Sequence, residues 1–241
     1  MIAAMPKVHD SWRVLPHRQI EELEANLWRV QGSLEGMGLR RVMTIARRED
    51  GDLVIHNGIA LDEPAMKRIE AWGKPGYIIV PNAYHRLDAP AFKRRYPDAK
   101  VLCPRGATKK VADVVAVDGT YDDFTADDSV SFESLGGVRD AEGVMVVRSA
   151  GGTTLVFNDI LFNMPHGSGV AGLFFRHVTQ STGGPRISRV VRWFVMKNRA
   201  ALRASLERLA NTPELTRIIV SHHRTITDDP AGTLRSVARS L

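Results

Sequence analysis

An apolar run that ends in a polar cluster, residues 77–88, constrains this chain more than any other segment. Tyr77-Ile-Ile-Val80 is typical of a buried strand and continues directly into Pro-Asn-Ala-Tyr-His-Arg-Leu-Asp. Proteins place reactive side chains on loops that a rigid sheet positions. The sequence therefore predicts a functional site at the end of this strand.

Length and composition favour one large α/β domain spanning residues 1–241, with a core of about 26–241 and an N-terminal extension of 1–25. The chain has 241 residues, of which 44% are hydrophobic. It has neither a membrane-spanning apolar run nor the pattern of a secretion signal, so we expect a cytoplasmic protein without membrane contacts. The single cysteine, Cys103, excludes an internal disulfide and any cysteine-cluster metal site.

The basic excess is scattered along the sequence. Thirty-three Lys and Arg against 27 Asp and Glu give a net charge of +6, a bias that favours anionic partners. The basic groups at 93–95, 109–110 and 186–192 are short, and no nucleic-acid motif with interleaved aromatic residues accompanies them. We interpret these groups as solvated surface and do not expect nucleic-acid binding.

Hydrophobic periodicity predicts strands and helices mixed throughout the chain. Strands are expected at 26–32, 41–47, 52–56, 77–80, 100–103, 129–134, 143–148, 153–157 and 217–220, and helices at 62–72, 90–96, 108–114, 200–210 and 231–241. Two strand meanders, each followed by helices and a further strand, are typical of a sandwich with helices outside two sheets.

The sequences at three strand ends resemble motifs of the metallo-β-lactamase superfamily. Residues 78–88 occupy the place of its His-x-His-x-Asp-His motif, and Thr154-Leu-Val-Phe-Asn-Asp-Ile-Leu-Phe-Asn163 is similar to the strand that leads to its metal-bridging aspartate, here Asp159. Arg217-Ile-Ile-Val-Ser-His-His223 is similar to its last ligand strand and puts His222 in the ligand position. The resemblance implies an α/β fold, a four-layer αββα sandwich of two mixed sheets flanked by helices.

The departures from the family motif imply a degenerate metal site. Asn82, Tyr84 and Arg86 stand where the first two histidines and the aspartate are expected, and the third histidine falls on Leu87 or on His85, depending on where the gap is placed. The histidine expected near residues 135–138 is absent. The resemblance therefore implies at most one ion, Zn or Fe or Mn, held by Asp159, His222 and His85, or no metal at all.

Further roles follow from the same alignment. His166 and His223 are candidates for a fourth ligand or, with Asp159, for catalytic acid–base chemistry. Asn82, Tyr84 and Arg86 are candidate substrate-binding residues, since the Arg86 guanidinium can hold a carboxylate or phosphate. Without a metal, Asp159 is explained equally well as a turn residue and His85 as a hydrogen-bonded histidine.

Three interpretations of function remain open. The first is a metal-dependent hydrolase in which a metal-bound hydroxide attacks a small ester, lactone or phosphoester. The second is a metal-free pseudoenzyme that binds a small anionic ligand in the same cleft. The third is an interaction scaffold or homodimer that uses the apolar segments 170–175 and 193–194, and it predicts a cleft filled by Tyr84 and Leu87.

Overall fold

The alternation of side chains along the central strands buries one sheet on both faces. The computed structural model describes residues 8–35 and 39–241. In the strand Arg40–Arg47, Val42 and Ala46 face one hydrophobic core while Met43 and Ile45 face another. Because successive side chains of a strand point to opposite faces, such a run belongs between two packed layers.

This sheet has seven strands arranged in chain order. The first four pair antiparallel and the last four parallel. The strands are β1 (Glu21–Glu24), β2 (Leu27–Ser33), β3 (Arg40–Arg47), β4 (Asp52–His56), β5 (Lys74–Ile79), β6 (Lys100–Cys103) and β7 (Gly119–Thr120).

A second, four-stranded sheet faces the first. Its neighbours run in the order β13-β10-β9-β8, with β10 and β13 parallel and the other pairs antiparallel. The strands are β8 (Val130–Ser134), β9 (Gly143–Ser149), β10 (Gly152–Val156) and β13 (Leu215–Ile219), and a separate two-stranded ribbon is formed by β11 (Phe162–Met164) and β12 (Gly184–Arg186).

The helices lie on the outer faces. They are α1 (Glu63–Trp72), α2 (Ala89–Arg95), α3 (Thr108–Ala112), α4 (Gly169–Leu173), α5 (Arg199–Leu209) and α6 (Pro230–Arg239). Short 3₁₀ turns occur at Arg105–Ala107 and Tyr121–Asp123, and π-helical turns at Phe174–Val178 and Val191–Val195. Side chains of Asp62, Asn198 and Asp229 accept hydrogen bonds from the first turns of α1, α5 and α6, which is why these helices begin where they do.

Three hydrophobic clusters separate the layers. The middle one joins the two sheets, the second packs α1, α2 and α3 on the seven-stranded sheet, and the third packs α5 and α6 on the four-stranded sheet. The expected αββα sandwich is confirmed.

The strands and helices predicted from periodicity are present, with ends shifted by a few residues. The prediction missed β1, β7, β11, β12 and α4, which are short and lack a long apolar pattern. Cys103 is buried in β6, as expected. None of the helices in the described ranges is long and apolar enough to cross a membrane.

The predicted N-terminal extension, residues 1–25, packs on this body where it is described. Its first seven residues lie outside the described part. The indole of Trp12 donates to the carbonyl of Leu61 (2.9 Å), and His9 Nδ1 lies 2.7 Å from Asp88 Oδ1. These contacts attach residues 8–25 to the seven-stranded sheet next to the polar cluster that follows β5.

Candidate metal centre

The strand ends of both sheets converge on one group of side chains. His85 follows β5, Asp159 follows β10 and His222 follows β13. Their potential ligand atoms all lie within 4.8 Å of one another. Asp159 Oδ1 is 3.1 Å from His85 Nε2 and 3.2 Å from His222 Nε2.

Asn82 shapes the loop that carries His85. Its Oδ1 accepts hydrogen bonds from the backbone N–H groups of Tyr84 (2.7 Å) and His85 (2.9 Å), an arrangement that closes a tight turn after β5. Its Nδ2 donates to Asp159 Oδ2 (2.9 Å) and to Glu142 Oε1 (2.7 Å). One buried amide therefore fixes the loop of the first sheet against the loop of the second.

Each histidine is oriented through its other ring nitrogen. His222 Nδ1 lies 3.0 Å from the carbonyl oxygen of Arg40, a group that only accepts. His85 Nδ1 lies 3.0 Å from Asn57 Oδ1, and the Asn57 amide is fixed because its Nδ2 donates to the carbonyl of Val42 (2.8 Å). Nδ1 therefore carries the proton in both rings, and both Nε2 atoms present a lone pair to Asp159.

This donor set fits a metal ion. Two imidazole nitrogens and a carboxylate oxygen that converge within 4.8 Å are stabilised by an extra proton or by a cation. Catalytic zinc is held by three such ligands with one position left open, and metal-bound histidines donate their other N–H to a carbonyl or amide oxygen, as both do here. The side chains of His85 and His222 are 8% and 9% exposed, and that of Asp159 is 21% exposed.

The pKa shifts of His85 and Asp159 also favour a bound cation. Burial lowers the pKa of His85, with the charge of Asp159 opposing it, so protonation of this ring is disfavoured. Burial alone would raise the pKa of Asp159, but a positive charge on His85 and the hydrogen bonds that protonated imidazoles donate lower it well below its usual value. Asp159 is thus ionised when a positive charge lies beside it, and with both Nε2 atoms unprotonated a metal cation is the charge that can take this place.

Glu142, in the turn before β9, has a buried carboxyl group that is hydrogen-bonded to the loops of this centre. It was not identified from the sequence. It accepts hydrogen bonds from Asn82 Nδ2 and from the backbone N–H of Ile160 (2.9 Å). Burial and the charge of Asp159 raise its pKa to about 8, although these donors limit the rise. The only sequence signal was an acidic residue in a turn, which is typical of solvated loops as well.

An open cavity of about 240 Å³ adjoins the centre, with Asp159 and His222 in its wall. The wall is mostly apolar, and none of the described residues that form it is a lysine or an arginine. Its aliphatic and phenylalanine members are Leu39, Ala83, Ala107, Ala141, Phe162, Phe175, Val190, Val191 and Val195. Tyr84 lies at the rim with 63% of its surface exposed, and Leu87 is buried outside the cavity wall. The cleft is therefore open rather than filled by these two side chains.

The other candidate residues are distributed unevenly around this centre. Asn82 and Tyr84 line the cavity. Arg86 donates to the carbonyl of Lys110 and lies near Asp113, away from the cavity wall. His166 is exposed and contacts Thr182 Oγ1 (3.0 Å), and His223 lines a different depression. The structure thus brings together His85, Asp159, His222, Asn82 and Tyr84, and not the other three.

We expect substitution of Asn57 to weaken metal binding. Asn57 has a backbone φ of 57°, so glycine is the replacement that keeps its left-handed conformation. Asn57→Gly removes the acceptor for His85 Nδ1 and frees the ring to rotate or change tautomer. Loss of such a partner lowers metal affinity about 10- to 100-fold. Competition with a chromophoric chelator measures the change, and an unaltered affinity would show that Asn57 does not orient His85.

Solved metallo-β-lactamases have a similar fold. DIM-1 exposed to ceftazidime matches with a TM-score of 0.62 at 13% identity, over 95% of this chain and 99% of that chain. The metallo-β-lactamase from Pontibacter korlensis matches with a TM-score of 0.58 at 9% identity, over 92% of this chain and 99% of that chain. FIM-1 from Pseudomonas aeruginosa in its mono-zinc form matches with a TM-score of 0.57 at 13% identity, over 96% of this chain and 98% of that chain. No protein-family model and no curated protein matches the sequence. At these identities the likeness establishes the fold.

Proposed function

We propose that this chain, which has the metallo-β-lactamase fold, is a hydrolase that works with a single metal ion held by His85, Asp159 and His222. The observation that carries the proposal is the convergence of both Nε2 atoms on Asp159 Oδ1, with each Nδ1 committed to a fixed acceptor. FIM-1, which is similar in fold at 13% identity, is described in a mono-zinc form, so a protein of this fold can hold a single zinc ion.

The cavity favours an uncharged carbonyl substrate. An ester or lactone fits a wall that is mostly apolar and whose described residues include no lysine or arginine. The metal ion and Asp159 together would carry only a small net positive charge, and the cavity wall offers a phosphoester or a carboxylate no cationic side chain in addition. We therefore favour a small ester or lactone over the phosphoester and anionic ligands that the sequence left open.

The residues of the chain have distinct roles in this proposal. A metal ion at the three ligands supplies Lewis acidity, which activates water and polarises a carbonyl group at neutral pH. Asn82 holds Asp159 through Oδ2, so that Oδ1 faces the histidines. Phe162 stacks on the ring of His222, with centroids 5.7 Å apart, and shields it from solvent. Neither His166 nor His223 borders the cavity, and we assign them no role in proton transfer.

The adjacent histidines provide a matched pair of variants. We expect His222→Asn to reduce bound zinc from about one ion per chain to roughly a tenth, because one of three ligands is lost. Asp159→Asn should have a similar effect. His223→Asn should keep its metal, since asparagine tolerates the φ of 65° at this position. Elemental analysis after zinc loading and dialysis measures all three.

Activity is then assayed on the loaded protein with p-nitrophenyl esters and short lactones, each with and without a chelator. Hydrolysis that requires metal and disappears in His222→Asn but not in His223→Asn supports the proposal. A wild-type protein that takes up no metal would refute it and leave ligand binding in the cavity as the function to examine.

A further inference from the structure

A second depression, of about 680 Å³, lies beside the catalytic cavity and is separated from it by the π-helical turn Val191–Val195. Val191 and Val195 line the cavity, whereas Arg192 and Trp193 of the same turn line the second depression. Its other walls come from β12 and from α6. We call this depression the arginine groove.

Four arginines of the groove wall give it its charge. They are Arg186, Arg189, Arg192 and Arg199, and no aspartate or glutamate is among the described residues that line it. None of the four has a salt bridge within residues 8–35 and 39–241. Burial, together with the charge of Arg199, lowers the pKa of Arg192. Like charges held together without counter-charges attract an anion.

The guanidinium groups are held in place by neutral acceptors. Arg186 donates to the carbonyl of Gly183 (2.8 Å), Arg189 to that of His177 (3.2 Å) and Arg192 to that of Ser240 (3.0 Å). Carbonyl oxygens orient these groups without neutralising them. Arg186 Nε is buried and has no hydrogen-bond partner among the described residues. The remaining N–H groups are donors suited to phosphate, which guanidinium groups bind through paired hydrogen bonds.

Another arginine-rich depression on the molecule differs in part. Of its five arginines, Arg29 is paired with Glu21 (2.7 Å) and Arg217 with Glu24 (3.2 Å), while Arg18, Arg40 and Arg224 have no salt bridge within the described residues. In the arginine groove none of the four arginines is paired in the described part of the chain.

The groove also has an aromatic and a hydroxyl-bearing surface. Trp193 is 69% exposed in its wall. Thr233 and Ser236 of α6 add hydroxyl groups, which donate readily to phosphate oxygens. An exposed indole provides a flat face on which a nucleobase can stack. The volume falls within the range of roughly 300–1,000 Å³ that is usual for small-molecule sites.

We infer that the arginine groove binds a nucleoside polyphosphate, with its phosphates against the arginines and its base against Trp193. The site is independent of the metal centre, and its occupancy does not depend on the proposed hydrolase activity. The arginines at 186–192 were interpreted as solvated surface because the sequence of this segment alone does not show that folding brings them to one wall with Arg199 of α5.

Isothermal titration of the full chain with ADP, pyrophosphate and adenosine tests the inference. We expect ADP to bind more tightly than either fragment. Arg189→Gln combined with Arg199→Gln should raise the Kd of ADP and of pyrophosphate at least about tenfold, since charge-assisted hydrogen bonds are lost. Trp193→Ala should raise the Kd of ADP about 5- to 100-fold, through lost stacking, and leave that of pyrophosphate unchanged.

The control is Arg18→Gln combined with Arg224→Gln, which removes the same charge from exposed arginines of the other depression. Circular dichroism and thermal melting confirm that each variant is folded. An equal loss of ADP binding in both double variants would show attraction by net charge alone and overturn the inference. So would an absence of ADP binding at millimolar concentration, or a single-stranded oligonucleotide that binds more tightly than ADP.

Discussion

Asp88→Asn is expected to lower the free energy of unfolding by about 3–5 kcal/mol, the usual effect of removing one partner from a buried ion pair. The carboxylate of Asp88 is 1% exposed and accepts from Arg41 (2.6 Å) and from His9 (2.7 Å). The guanidinium of Arg41 is itself only 6% exposed, and its Nε has no partner in the described residues. Removing the negative charge leaves that guanidinium buried without compensation.

Urea denaturation of the wild type and the variant measures the change, and a surface pair provides the control. Arg105 and Asp122 lie 2.5 Å apart with both side chains exposed, so Asp122→Asn should change the stability by less than about 1 kcal/mol. Equal effects of the two substitutions would mean that the buried Asp88 pair contributes no more to the free energy of unfolding than the exposed pair does.

The Asp88 pair also bears on the metal centre. The backbones of Arg41 and His222 form an isolated antiparallel β-bridge, and Val42 N–H donates to the carbonyl of Ser221 (2.9 Å). The carbonyl of the neighbouring Arg40 orients the His222 ring. We therefore expect Asp88→Asn to loosen the loop that presents His222 in addition to lowering stability.

His56→Leu is expected to make the fold markedly less sensitive to acid. His56 is 1% exposed, and neither ring nitrogen has a hydrogen-bond partner among the described residues. Burial lowers its pKa to about 3, with a smaller contribution from His85. Because the unfolded chain takes up this proton near pH 6.5 and the folded chain does not, stability falls as the pH drops from about 6.5 towards 3. Between pH 7 and 4.5 the loss is about 2.5 kcal/mol.

Other buried groups act in the same pH range, so the difference between variant and wild type is the quantity to measure. Burial lowers the pKa of His223 to about 4, which adds to the loss in acid. The raised pKa of Glu142, about 8, has the opposite sign: the folded state binds the extra proton, and stability rises as the pH falls from about 8 to 4.5.

These contributions are common to both proteins and cancel in the comparison. Urea denaturation of both at pH 7 and pH 4.5 gives the differential effect. Parallel pH profiles would show that His56 is not the acid-sensitive group.

The fold and the meeting of His85, Asp159 and His222 could be predicted from the sequence, through strand periodicity and the resemblance of three strand ends to a known family. Their role as metal ligands stays a prediction. His85, Asp159 and His222 all follow short apolar strands, and side chains at strand ends of one sandwich meet at the same edge. The order of these strands was sufficient to predict the layers. The homodimer, the cytoplasmic location and the single-domain boundaries stay predictions.

The surroundings of the ligands were not accessible in this way. Glu142 and Asn57 act through contacts with residues far away in the chain, and neither lies in a motif. Their roles depend on tertiary packing that brings separate turns together, within one sheet for Asn57 and between the two sheets for Glu142. The same reason explains why Arg86 drew attention as a cleft residue, although its side chain is directed to Lys110 and Asp113.

The hydrogen bonds of the Asn82 amide limit which substitutions the protein tolerates at this position. It closes the turn after β5 with one end and holds Asp159 and Glu142 with the other. Substituting a histidine there would remove the amide that donates to both carboxyl groups and leave the buried Glu142 and the partly exposed Asp159 without their shared partner. A further ligand at position 82 would therefore require residue 142 to change in the same step, so such a change takes coupled rather than single substitutions.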